Sequence, residues 1–112
     1  MIIEQIRYYF DESRREEILL VRRDVNRVRD RLGLPTGLIL IADVPPEEGP
    51  ALIWQCGYED ENEMVRVTEA LMGNADYEAA RDRLGALTER AEMELYITDE
   101  DVTAPLPDSE PT

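Results

Sequence analysis

The sequence predicts an α+β fold, a four-stranded antiparallel sheet with helices on one face. Three observations point to it. Residues 37–58 hold two apolar runs, Leu38-Ile39-Leu40-Ile41 and Leu52-Ile53-Trp54, around a loop of prolines, glycine and acids, which is a hairpin pattern. An alternating segment suited to a strand stands before the hairpin, over residues 2–10, and another after it, over residues 93–98. Between them lie segments whose apolar residues step by three and four, as on one face of a helix.

Taken in order, the first strand puts Ile6, Tyr8 and Phe10 on one face and Ile3, Gln5, Arg7 and Tyr9 on the other. Ser13-Arg14-Arg15-Glu16 reads as a capping box, in which Ser and Glu satisfy each other's free amides, and predicts a helix over residues 14–32. Its stripe is Ile18, Val21, Val25, Val28 and Leu32, opposite a face of Arg, Asp and Glu. Gly33 suits a left-handed cap, Leu34 can fold back on Val28, and Pro35 prevents continuation. After the hairpin, Asp60-Glu61-Asn62-Glu63 is a second box, with Met64, Val67 and Leu71 facing inward. Gly73-Asn74-Ala75 breaks that helix and Asp76 is the expected cap of its restart. The restart carries Tyr77, Ala80, Leu84, Leu87 and Ala91. Gly85 costs that helix about 1 kcal/mol relative to Ala, which suggests a site of close packing. The last strand sets Met93, Leu95 and Ile97 against Glu94, Tyr96 and Thr98.

The order is βαββαβ. Right-handed crossovers put both helical segments on one side of the sheet, the ferredoxin-like arrangement. Residues 1–98 form the expected domain, and residues 99–112, acidic and proline-containing, the expected disordered tail.

Sorting the strands by face gives one set for the helices to cover: Ile6, Tyr8, Leu38, Leu40, Ala42, Leu52, Trp54, Cys56, Leu95 and Ile97. The other face mixes Ile3, Ile39, Ile41 and Ile53 with Gln5, Arg7, Tyr9, Asp43, Gln55, Glu94 and Tyr96. A solvated sheet face is mostly polar. Leaving this one wet forfeits roughly 1.5–3 kcal/mol for each large apolar side chain that could be buried. A second copy packed by two-fold symmetry is the expected cover. The polar residues of that face would then line a small cavity.

The formal net charge of −14 disfavours nucleic acid and anionic lipid as partners. No apolar run approaches the length of a membrane span, and Met1-Ile2-Ile3-Glu4 does not open a signal peptide, so a cytoplasmic location is expected. With no histidine and one cysteine, there is no Ser-His or Cys-His pair and no histidine metal ligand. The acids at 60–63 are explained by helix capping, and those at 99–101 lack the spacing of a calcium loop. No metal or cofactor is expected. Of the polar face residues, Arg7 is the most informative. It either pairs with Glu94 on the adjoining strand or anchors a ligand carboxylate or enolate. Tyr9 and Tyr96 would donate protons or orient a ligand.

Gln5-Ile6-Arg7-Tyr8-Tyr9, Trp54-Gln55-Cys56-Gly57-Tyr58 and Asp76-Tyr77-Glu78 together resemble the dimeric α/β-barrel superfamily, and most closely its NIPSNAP-like branch. Phe10-Asp11-Glu12 stands where relatives often carry a Pro-Gly turn, and no proline follows Asp76. The resemblance implies a homodimer with a cavity between sheet and helices or between sheets. That cavity would take an aromatic or carboxylate-bearing molecule. Cofactor-independent monooxygenases and isomerases occur in the superfamily, so the resemblance leaves open whether this chain is such an enzyme or a non-catalytic protein whose sheet face serves dimerisation alone.

Overall fold

The computed structural model describes residues 1–44 and 46–99. Strands β1 (Ile2–Tyr9), β2 (Leu38–Ile41), β3 (Leu52–Tyr58) and β4 (Arg90–Ile97) form one antiparallel sheet in the order β2-β3-β1-β4. Helices α1 (Arg15–Arg31), α2 (Glu61–Leu71) and α3 (Ala75–Leu87) complete the βαββαβ order, α2 and α3 being the interrupted second helical segment. The expected tail lies outside the described residues beyond position 99. No helix among the described residues is long and apolar enough to cross a membrane.

The core sits between the sheet and the helices. Tyr8, Leu52, Trp54, Cys56 and Tyr58 from the sheet meet Ile18, Val21 and Val25 of α1, Val67 and Leu71 of α2, and Ala80 and Leu84 of α3, all buried. Removing these side chains from water is the main favourable term in folding. Trp54, 1% exposed, is fixed by its ring nitrogen, which donates to the Thr36 carbonyl at 3.0 Å and to Asn26 Oδ1 at 3.2 Å. Gly37 makes that approach possible. Its φ is +78°, and a Cβ there would stand 2.7 Å from both the Trp54 ring nitrogen and the Gln55 carbonyl oxygen.

Several local expectations are corrected. Ser13 does not cap α1. Asp11 accepts from the Ser13 amide at 3.0 Å and opens a short 3₁₀ turn, Glu12–Arg14, ahead of the helix. The carboxylate two residues nearer the strand reaches the free amides first. Asn74, not Asp76, caps α3, accepting from the Tyr77 amide at 3.0 Å. At α2, Asp60 accepts from Glu63 N at 2.8 Å, while the Glu63 side chain accepts from Glu59 N at 3.0 Å. The end of α1 is a full Schellman motif, with Gly33 at φ +72°, Gly33 N on Asp30 O at 3.0 Å and Leu34 N on Arg29 O at 2.8 Å. Ala91 belongs to β4, opposite Tyr8, because α3 stops at Leu87. Gly85 is not a tight contact, since a Cβ there would meet nothing within 4 Å.

The largest correction concerns β2. Leu38 pairs with Gln55, Ile39 with Trp54, Leu40 with Ile53 and Ile41 with Leu52. Directly paired residues share a face. Ile39 and Ile41 therefore lie on the helix side, and Leu38 and Leu40 on the open side, the reverse of the expectation. Leu95 and Ile97 do lie on the helix side but are 48% and 82% exposed, because they run along the sheet edge past the helices.

Candidate functional site

Two places in the fold concentrate polar and apolar groups. The first is the open face of the sheet. Register places Gln5, Gln55 and Glu94 in one row across β3, β1 and β4, with Arg7 and Glu92 in the next. Gln5 Nε2 donates to Gln55 Oε1 at 3.4 Å. The Arg7 guanidinium donates to Gln5 Oε1 at 3.4 Å, to Tyr96 Oη at 3.4 Å and to Glu94 Oε1 at 3.3 Å, and its Nε lies 3.8 Å from Glu92. Tyr9 bonds Glu92, which with the nearby Arg90 and Arg7 holds that carboxyl below its ordinary value. Arg90 stacks over the Tyr9 ring at 4.0 Å.

Six of the seven expected site residues thus come together: Gln5, Arg7, Tyr9, Gln55, Glu94 and Tyr96. Asp43 does not. β2 ends at Ile41, and Asp43 lies exposed in the bend beyond it. The expected Arg7–Glu94 pair is present, and Glu92 and Arg90 join it. The four charges, Arg7, Arg90, Glu92 and Glu94, sum to zero in a chain of net charge −14. Apart from Gln55, the same face is apolar across β2 and β3. Leu38 and Leu40, 54% and 40% exposed, lie beside Ile53.

The second place is a cleft of about 380 Å³ between the sheet and helices α1 and α3. Ile6, Val25, Leu84 and Met93 give it apolar walls, and Glu4, Tyr8, Tyr77, Arg22 and Arg81 give it polar groups. Arg22 is 4% exposed, and its guanidinium lies 4.1 Å from the Trp54 ring centroid. Arg29, 5% exposed, lies 4.5 Å from the same centroid. Arg29 donates to the Pro35 carbonyl at 2.9 Å and to Tyr58 Oη at 3.3 Å, and Tyr58 in turn donates to Glu4 at 2.9 Å. Arg22 reaches Tyr8 Oη at 3.4 Å. Burial lowers the Arg22 pKa and raises those of Tyr8 and Tyr58, in each case by disfavouring the charged form.

The two buried arginines are the residues that the apolar-stripe reading missed. Ile18, Arg22, Val25 and Arg29 are spaced four, three and four apart, the same helical step as the stripe itself. Cys56 is buried under the helices, where burial pushes its thiol pKa up, the opposite of a reactive thiolate. Among the described residues, no three His, Cys, Asp or Glu side chains converge as they would around a metal ion.

Neither a protein-family model nor a curated protein matches the sequence. Solved structures do resemble the fold. An uncharacterised NIPSNAP domain protein from Burkholderia xenovorans superposes with a TM-score of 0.71 at 14% identity, over 94% of this chain and 99% of that one. A protein from Nitrosomonas europaea, described as a putative antibiotic biosynthesis monooxygenase, gives a TM-score of 0.66 at 15% identity, over 88% of this chain and 98% of that one. A dimeric protein of unknown function and ferredoxin-like fold from Bacteroides fragilis gives 0.57 at 11% identity, over 85% and 93% of the two chains. The chain therefore has the ferredoxin-like fold, in a form similar to that of NIPSNAP domain and antibiotic biosynthesis monooxygenase proteins.

Proposed function

We propose that this protein is a homodimer, joined through the open sheet face, that holds a small molecule in the cleft of each protomer. The observation that carries the reading is the chemistry of that face. A chain of net charge −14 repels its own copy over most of its surface, yet this face carries two arginines against two acids. Beside them stand Leu38 and Leu40, half-exposed, with roughly 1–2 kcal/mol to gain from burial of each. Two copies related by a two-fold axis cover both halves at once. Gln5, Arg7, Tyr9, Gln55, Glu94 and Tyr96 then form a hydrogen-bonded lattice at the interface, with Arg7 committed to acids of its own chain. The cleft under the helices, where apolar walls meet a converging set of polar groups, is then the place for a ligand. A dimeric protein shares the fold, which agrees with this reading.

Analytical ultracentrifugation across micromolar concentrations tests the assembly. The wild type should sediment as a dimer, and Leu38→Asp with Leu40→Asp as a folded monomer. Ile39→Asp should instead unfold the chain, because that side chain packs on the helix side. A monomeric wild type, or a double variant that stays dimeric, refutes the interface.

A further inference from the structure

Accepting the cleft as the ligand site, we propose that its ligand is a small carboxylate with an apolar body, and that Arg22 holds the carboxylate.

Arg22 is a buried cation whose hydrogen-bonding capacity is largely unused. It is 4% exposed and forms no ion pair among the described residues. Its Nε has no hydrogen-bond partner, and its bond to Tyr8 Oη is long at 3.4 Å. Taking a guanidinium out of water costs several kcal/mol unless an anion compensates. The Trp54 ring returns only part of that and satisfies no N–H group.

Arg29 makes the contrast. It stacks on the same ring and also has an unpartnered Nε, but one of its terminal nitrogens has two acceptors, a backbone carbonyl and a phenol. Arg29 is absent from the cleft wall, whereas Arg22 is part of it. One arginine is structurally bound, and the other meets the space where a ligand would lie.

The charge of the cleft agrees. The chain has 26 acids against 12 basic residues, yet the cleft is lined by two arginines, Arg22 and Arg81, and one acid, Glu4. Glu4 accepts the Tyr58 hydroxyl at 2.9 Å. A guanidinium fork matches a carboxylate in two parallel hydrogen bonds, which a neutral amide or alcohol cannot reproduce. Ile6, Val25, Leu84 and Met93 supply the surface for an apolar body, and a volume of about 380 Å³ is at the small end for ligand pockets.

The test compares 3-phenylpropionate with its neutral counterpart 3-phenylpropanamide, titrated into the full chain. Fluorescence of the single tryptophan, stacked on Arg22, reports binding. The acid should bind about tenfold tighter or more. In the ¹⁵N-resolved spectrum of the wild type, the acid and not the amide should shift the Arg22 Nε–H signal, a readout that needs no variant to fold. Arg22→Gln should erase the preference for the acid while amide binding persists. If acid and amide bind wild type equally, or the Arg22 signal does not move with the acid, the carboxylate inference is overturned while the cleft remains a ligand site. If neither compound binds, the cleft reading falls and the inference falls with it.

Discussion

Arg22 and Trp54 lie in contact, guanidinium to ring centroid 4.1 Å apart, and both are almost fully buried. With Arg29 on the same ring, the indole ties α1 to β3 through two cations rather than through aliphatic packing alone. Trp54→Ala removes the ring, leaves a cavity and strips both guanidinium groups of their stacking partner. It should cost about 3–5 kcal/mol, read as a lower urea midpoint.

Two glycines should respond in opposite directions. Gly85→Ala places a methyl in open space within a helix and should stabilise by about 1 kcal/mol. Gly37→Ala sets a Cβ 2.7 Å from the Trp54 ring nitrogen at a backbone angle that disfavours side chains, and should destabilise by more than that. Thermal or urea midpoints of the two variants decide it.

The fold was legible wherever the strand sequence alternates in polarity. Arg7 against Tyr8, and Gln55 against Trp54, mark the two faces of β1 and β3 unambiguously. Leu38-Ile39-Leu40-Ile41 does not alternate, so nothing in its side chains says which pair meets the helices. The pairing of Ile39 with Trp54 decides it, and Gly37 lets the preceding backbone come close to that ring. Asp43 was misplaced for a related reason. A four-residue strand ends before reaching it, where the sequence suggested a longer one. Arg22 and Arg29 are hidden from an apolar-stripe reading because charge ordinarily marks the solvent face. Their helical spacing alongside Ile18 and Val25, with one tryptophan available to stack on, was the readable signal.

Helix capping gives a second contrasting pair. Asn74→Ala loses the bond to the Tyr77 amide and should cost about 1 kcal/mol. Asp76→Ala removes an exposed pair with Arg31, 3.4 Å apart, and one of two first-turn acids, and should cost less, roughly 0.5 kcal/mol, read from the urea midpoint.

Alkali should loosen the fold through buried weak acids. Burial raises the pKa of Tyr8 and Tyr58 above 10.0 and that of Cys56 above 9.0. Below those ordinary values both folded and unfolded chains keep these protons, so this contribution is fully present. Above them the unfolded chain ionises first, and stability is lost as pH rises. The urea midpoint should therefore stay level up to pH 9.0 and fall beyond it, and Tyr58→Phe should flatten part of the decline.

The strand order also governs how the molecule assembles in time. β1, the earliest strand along the chain, ends up in the interior of the sheet, flanked on one side by residues 52–58 and on the other by residues 90–97. Neither flank is a local hairpin, so the sheet's centre closes only through contacts between distant stretches of chain. Such topologies condense late and slowly. A fragment stopping short of β4 would present one whole border of β1 with its amide and carbonyl groups unpaired, an invitation to strand addition by any neighbouring polypeptide.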